Sequence, residues 1–375
     1  VTSDRLTESE ISDMLAERID SLVAEILPNA RRSGSELTVG SLAGEPGKSL
    51  SIHVGRNARR GIWKDFAGTD GGDALKLVCL VLFGGDYKRA VPWAKSWLGI
   101  DQMDPARFEQ ARQQAQARAA ARDAGAEAEQ EARRKRAHAT WLAARPLERG
   151  DPVDRYLLAR GIDLGVLEHG PGVLRYHPAL PYWVFDKDAD RFIKLVELPA
   201  MVAAVTELAT GRFIACHRTW LRADGRGKAG AAELGHDHRG RVRDAKKVAG
   251  SFTGGHIKLW LGRDAAGQRY KGPLRSLRLG RLHISEGIED GLTAAVADPD
   301  IAAIAAITVG NMVTLALPEQ ARELVMLKQN DAPDSDAAAT YLQAVERYRG
   351  EGRRVLEAVP PPGVKDLNDL ARAGS

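Results

Sequence analysis

The chain has 375 residues, 44% of them hydrophobic and 28% charged, which is enough for two or three domains with cores of their own. Apolar stretches such as "AAVADPDIAAIAAITVG" are broken by acids or proline before the ~18 to 20 residues that a membrane helix needs, and only Cys79 and Cys216 are present, which excludes a disulfide framework or a four-cysteine zinc site. The net charge of +4 is mild but uneven: residues 212–247 hold ten Lys/Arg against four Asp/Glu, so that segment carries +6 and the remainder −2.

In chain order, the polar, acidic opening "VTSDRLTESEISDML" has neither the basic start nor the apolar centre of a secretory signal, so the cytoplasm is the expected compartment. Residues 8–27 place Ile11, Met14, Leu15, Ile19, Leu22, Val23 and Ile26 at helical spacing and predict one amphipathic helix. "ELTVGSL" and "SLSIHVG" alternate as short strands, and "GIWKDFAGTDGGDALKLVCLVLFGG" reads as strand, glycine turn and helix. These make a small α+β module over residues 1–100. Within it "GEPGKS" invites a phosphate-loop reading that fails, because Leu42 stands where the loop needs glycine and a strand pattern follows where a helix should.

Residues 101–145 shift to Ala, Gln, Glu and Arg, with strong helix propensity and little to bury, and predict an exposed helical linker. Residues 146–275 predict an α+β domain: a short helix capped by Asp151, then apolar runs flanking "TGR" as a hairpin, then strands at "DAKKVAG" and "HIKLWLG". The basic segment lies here. Concentrated cations neutralise phosphates and release their counterions, the salt-sensitive part of nucleic-acid affinity; a solvated basic loop is the alternative. Over residues 276–375 strands "RLHIS", "IAAIAAIT", "ELVMLK" and "RRVLEAV" alternate with helical patterns at "GIEDGLTAAVAD", "MVTLALPEQAR" and "SDAAATYLQAVERYRG". Such alternation implies a parallel sheet flanked by helices, an α/β class.

Ligands of parallel α/β sheets bind at the carboxyl ends of the strands, and two of these ends carry acid. "LHISEGIED" presents Glu286, then Glu289 and Asp290; "LVMLKQNDAPDSD" presents Asp331, then Asp334 and Asp336. Carboxylates gathered at neighbouring strand tips repel unless a cation screens them, and hard oxygen ligands suit magnesium or manganese. Glu289 and Asp336 read instead as first-turn acids that favour the helix dipole.

The order of these motifs resembles the Toprim domain of bacterial-type DNA primases, topoisomerases and some nucleases. "SEGIED" is similar to the family's glutamate motif and "ITVGNMVTLALPEQ" to the stretch that follows it, while "KQNDAPDSDAA" corresponds to its Asp-x-Asp motif, with Asp331 as the second aspartate and Gln329 in place of the first. The tail "VKDLNDLARAG" resembles that of phage and plasmid primase-like proteins, which brings Lys365, Asp366 and Asp369 toward the crevice. Upstream, "GRFIACHRTWL" and "KKVAGSFTGGHIKLWLG" resemble the primase-core subdomain, and "GEPGKSLSIHV" with "GIWKDFAGTDGGDALKLV" resembles its zinc ribbon without the cysteines, so no zinc is expected.

The resemblance implies a primase-like nucleotidyltransferase of a phage- or plasmid-type replication system. It implies Glu286 and Asp331 as catalytic residues, Mg2+ or Mn2+ held by Glu286, Asp331, Asp334 and Asp290, and single-stranded DNA and nucleoside triphosphates held by Arg218, Lys228, Arg241, Arg243, Lys246 and Lys247. It admits a replicative helicase as partner and implies none in a membrane. The alternatives are a replication accessory protein with a decayed site, favoured by Gln329, and a Toprim nuclease.

Overall fold

The computed structural model describes residues 6–55, 60–68, 70–100, 105–167, 170–186, 191–263, 268, 270, 274 and 281–373; between 105 and 126 its side chains are those of positions 110, 113, 117, 121, 124 and 125. The chain divides into two units, Val1–Glu129 and Gln130–Ser375.

In the first unit Thr7 and Glu10 form a capping box that starts α1 (Glu8–Glu17). The single helix expected over 8–27 breaks at Arg18, whose φ of −107° and ψ of 24° turn the chain into α2 (Ile19–Ile26). Strands β1 (Arg31–Ser33), β2 (Glu36–Val39), β3 (Leu50–His53), β4 (Trp63–Asp65) and β5 (Gly71–Gly72) form an antiparallel sheet in sequential order. Residues 44–49 run into β3, not into a helix. Asp73 caps α3 (Ala74–Phe83), and α4 (Tyr87–Trp97) completes the module. Ile11, Leu15, Leu22, Leu50, Ile52, Trp63 and Leu77 fill its core.

Helix α5 (Pro105–Ala143) crosses the boundary between the units. Its last turns are not the exposed spacer that the composition predicts. Ala137 is buried, Trp141 Nε1 donates to the Val173 carbonyl at 3.0 Å, and the Arg175 guanidinium lies 3.7 Å from the Trp141 ring centroid. Arg134 donates to the Phe213 carbonyl at 3.4 Å and the His138 ring lies 4.6 Å from that of Phe213, so a few residues scattered through a polar helix dock it.

The second unit continues with β6 (Arg145–Pro146), α6 (Pro152–Ala159), β7 (Leu174–Asp186), β8 (Arg191–Glu207), β9 (Phe213–Trp220), α7 (Ala231–Leu234), β10 (Lys246–Gly250) and β11 (Gly255–Leu261). Asp151 caps α6 by accepting the Val153 and Asp154 amides, as its position predicts. There follow β12 (Arg281–Ser285), α8 (Ile288–Ala297), β13 (Ala302–Ala305), α9 (Val309–Met312), β14 (Glu323–Leu327), α10 (Asp336–Gly350), β15 (Arg354–Ala358) and α11 (Leu367–Ala373).

Among the described residues one sheet runs β10-β9-β8-β11-β13-β12-β14-β15, with β7 also on β8. Strands β13, β12, β14 and β15 are parallel, and β11 closes their edge antiparallel to β13. All four residues of β13 are buried, as suits a parallel strand covered on both faces. Strand β8 joins the halves: it pairs with β9 over Ala200–Thr206 and with β11 at Thr206 and Glu207. The helix expected at "MVTLALPEQAR" is a single turn, α9; Leu315, Leu317 and Ala321 beyond it are buried without helix, their apolar spacing satisfied by the core alone.

Candidate active site

Strands β12 and β14 are hydrogen-bonded neighbours in parallel register, from Arg281 opposite Glu323 to Ile284 opposite Met326. Equal register puts their carboxyl ends side by side. Glu286, Lys328, Gln329, Asn330 and Asp331 accordingly line one cavity of about 280 Å³, closed on its apolar side by Met312, Leu327 and Tyr341. Asp290 and Asp334 are not among its lining residues.

The loop after β13 fixes Glu286. Ala306 N–H donates to the Ser285 carbonyl at 2.8 Å and Ile307 N–H to the Glu286 carbonyl at 2.9 Å. Ile307 does this at φ +79°, the sole non-glycine residue with positive φ among those described. A β-branched residue there is strained by about 1–3 kcal/mol, strain that clusters where a site imposes geometry. Asn311 holds the same loop with its amide, donating to the Gly255 and Ala306 carbonyls and accepting from Gly254 N–H, each at 2.8 Å. Burial and the Asp331 charge push the Glu286 pKa up, while Lys246, the Val309 amide and Lys365 restrain the rise.

Asp290 stands behind Gln329, outside the cavity lining. It accepts the Asn368 amide at 3.0 Å and the Gln329 side-chain amide at 3.3 Å. Burial and the Asp366 charge push its pKa up to about 6. Gln329 thus serves its neighbour as a donor, which a carboxylate in its place would not do. Asn368 also donates to the Arg160 carbonyl and to Thr293, and Asn330 donates to the carbonyls of Pro360, Pro361 and Val364, so two asparagines dock the tail. Lys365 pairs with Asp331, Asp366 caps the Asp369 amide at 2.8 Å, and Asp369 lies 3.8 Å from Arg160. Asp334 is exposed.

Glu289 differs from its expected role as a first-turn acid. It is 5% exposed and accepts the Tyr156 hydroxyl at 2.6 Å, with Lys228 Nζ at 3.0 Å and Lys246 Nζ at 3.6 Å. Burial works against its charge, but the two ammonium groups and the Tyr156 hydroxyl hold its pKa well below the ordinary carboxylate range. Burial lowers the Lys228 pKa; at Lys246 burial also works downward, but the Glu289 charge together with the hydrogen bonds to Lys228 and Glu289 and the Asp244 charge raises it. His217, fully buried beside them, is pushed down to about 4 by burial and by Lys246, and so stays neutral. Only partners brought in by the fold reveal this cluster.

The other predicted cations lie elsewhere. Arg218 pairs in register with Lys247, and Thr219 with Lys246. Side chains alternate across a strand, so Lys246 reaches Glu289 while Arg218 and Lys247 occupy the opposite face, near Trp220 and Tyr182. Arg241 and Arg243 line a separate depression on that side with Tyr182, Arg241 paired to Asp237 at 2.9 Å.

No group of three or more His, Cys, Asp or Glu able to hold a metal occurs among the described residues. Two like-charged carboxyl groups in one cavity still suit magnesium or manganese, which keep several waters and take one or two carboxylates plus substrate phosphates. Glu286 and Asp331 are the pair that could hold such an ion. No helix of the described residues is long and apolar enough to cross a membrane.

A family match covers the residues of this cavity. Residues 281–375 match the Toprim domain, and residues 131–259 match a domain of unknown function (DUF7146). The C-terminal part of the chain is a Toprim domain. Neither match extends into residues 1–130, and a search of curated proteins finds no match. Among solved structures, a DNA primase domain from Pseudomonas aeruginosa aligns at 17% identity and TM-score 0.37 over 59% of this chain and 67% of its own. The DnaG catalytic core aligns at 15% identity and TM-score 0.39 over 65% and 75%.

Proposed function

We propose that this chain is a primase-type nucleotidyltransferase that joins nucleotides on a single-stranded DNA template, in replication of a phage or plasmid type. One observation carries the reading: Glu286 and Asp331, at the ends of neighbouring parallel strands of a Toprim domain, line one cavity, where the Asp331 charge adds to burial in pushing the Glu286 pKa up. Mg2+ or Mn2+ held by Glu286 and Asp331 would polarise the phosphoryl group and offset charge on the attacking and leaving oxygens. The rest is positioning. Lys246, whose charge acts on both Glu286 and Glu289, and Lys228 beside it would supply positive charge for a triphosphate. Glu289 neutralises the two ammonium groups in the ground state and holds them at fixed distances from the acids. The Ile307 strain and the Asn311 ties keep the Glu286 carboxyl aimed.

Primer synthesis on an unlabelled single-stranded template, with ribonucleotides and either metal, tests the proposal. Glu286→Gln should abolish product and Gln329→Ala should keep it, since Gln329 serves Asp290 in place of a metal. A second reading rests on Gln329 itself. If wild type makes no primer with either metal yet binds single strands, the chain is a DNA-binding accessory protein with an impaired site; strand cleavage without ribonucleotides would mark a Toprim nuclease.

A further inference from the structure

The tail brings the acid pair a cation that has no role in the chemistry above. Lys365 forms an ion pair with Asp331, one of the acids that line the cavity, and its charge also reaches Glu286, where it restrains the rise in pKa. Among the described residues no other cation is ion-paired with either acid: Lys246 is paired with Glu289 at 3.6 Å, and Lys328 Nζ lies 5.6 Å over the Tyr341 ring. We propose that Lys365 is a positioning residue, a tethered placeholder whose ammonium group balances Glu286 and Asp331 before a divalent ion binds and is displaced by that ion.

The backbone delivers Lys365 to this place. Asn330 N–H donates to the Lys365 carbonyl at 2.8 Å and the Asn330 side chain to the Val364 carbonyl at 2.8 Å, so the residue beside Asp331 fixes the chain on which the lysine stands. Asp366, the nearest acid in sequence, accepts the Asp369 amide at 2.8 Å instead. Beyond it Asn368 N–H donates to Asp290 at 3.0 Å, which anchors the tail on both sides of the lysine, while the Lys365 side chain is half exposed and has solvent to swing into. Charge then decides which cation stays. Carboxylates at one cavity repel unless a cation screens them. An ammonium does so with one charge on a flexible stem, whereas Mg2+ or Mn2+ brings two and takes carboxylate oxygens as ligands. The two cations repel each other across Asp331, so the stronger charge expels the weaker. Gln329 sharpens the competition: it adds no negative charge, and Lys365 cancels half of what two ionised acids offer a metal. Metal affinity is held down, and the acids stay aimed before metal arrives.

The placeholder role rests on the metal role proposed above for Glu286 and Asp331, and calorimetric titration of the full chain with manganese alone separates the two. Lys365→Met keeps the stem and removes the charge; it should bind manganese about fivefold more tightly than wild type, the scale of a half-exposed ion pair that no longer has to break. In EDTA it should melt below wild type, because the acids are left unbalanced, and manganese should raise its melting temperature by more than it raises that of wild type. Loss of a purely structural lysine would weaken manganese binding. Lys365→Arg, which grips a carboxylate with two parallel bonds, should bind manganese more weakly than wild type and decides the matter if the methionine variant does not fold. Manganese affinity that is equal or lower in Lys365→Met, or unchanged in Lys365→Arg where only that variant folds, overturns the placeholder; the metal site still stands if Asp331→Asn loses the manganese heat. If wild type and Asp331→Asn titrate alike, the metal role fails and the placeholder falls with it, leaving Lys365 and Asp331 as an ordinary ion pair.

Discussion

Glu289 and Asp290 are adjacent in sequence and opposite in electrostatics. Glu289 is charged and clamped by Lys228, Lys246 and Tyr156, the tyrosine contributed from 133 residues earlier. Glu289→Ala would leave two ammonium groups and a hydroxyl without their acceptor. A loss of about 3 kcal/mol in urea unfolding is expected, the lower end for breaking a buried pair because both lysines reach solvent. Asp290 is the reverse: its pKa of about 6 lies above that of an exposed aspartate, so the fold prefers it protonated. That contribution is full below the ordinary aspartate range and is lost as pH rises through about 6. Asp290→Asn keeps an acceptor for Asn368 and cannot ionise. It should match wild type near pH ~4 and exceed it by up to about 3 kcal/mol near pH ~8, read by denaturant unfolding at both. Glu286 and Asp331 were legible in the sequence because each ends an apolar strand. Glu289 was not, since its position one turn into a helix looks the same whether it caps that helix or reaches across to another subdomain.

Helix α8 sits close enough to the sheet to aim these acids only because position 291 is glycine. A Cβ there would meet Leu259 Cδ1 at 2.4 Å and Ser285 Oγ at 2.7 Å. Gly291→Ala should therefore push α8 outward, costing about 1–3 kcal/mol in stability and weakening manganese affinity, by thermal melting and calorimetry. Strand and helix identities over 281–358 followed from alternating apolar runs and turn residues, since parallel strands buried on both faces show themselves as continuous apolar stretches. The segment after Met312 did not: apolar residues at helical spacing fill the core equally well along an irregular path, and periodicity alone cannot separate the two. Strand β7 has mixed burial and two prolines, Pro178 and Pro181, and carried no clear period.

At the level of the second unit, the Toprim sheet is completed from outside its own sequence. Strand β11, residues Gly255–Leu261, covers the edge of β13, and β8 links β11 to the cationic strands. A fragment beginning at residue 281 would expose that edge as an unpaired ladder and should aggregate, whereas one spanning 130–375 should give a soluble species with a single cooperative transition; size-exclusion chromatography and thermal melting distinguish them. Composition suggests an N-terminal module over residues 1–100 and a linker over 101–145, and the chain divides between Glu129 and Gln130. The position of that division within α5 was not readable, because the residues that dock the last turns, Arg134, Ala137, His138 and Trp141, are scattered among many small and polar ones.

Strand β8 has one further consequence. Seventeen residues run through it without interruption, roughly 55 Å at ~3.3 Å each, and its ladders weld the acid-bearing and cation-bearing halves into a single plate. The distance along the sheet between the two halves is then set by how far that strand runs. A polymer that touches both halves would have to bridge that run, so the strand's length sets a lower bound on the polymer's own.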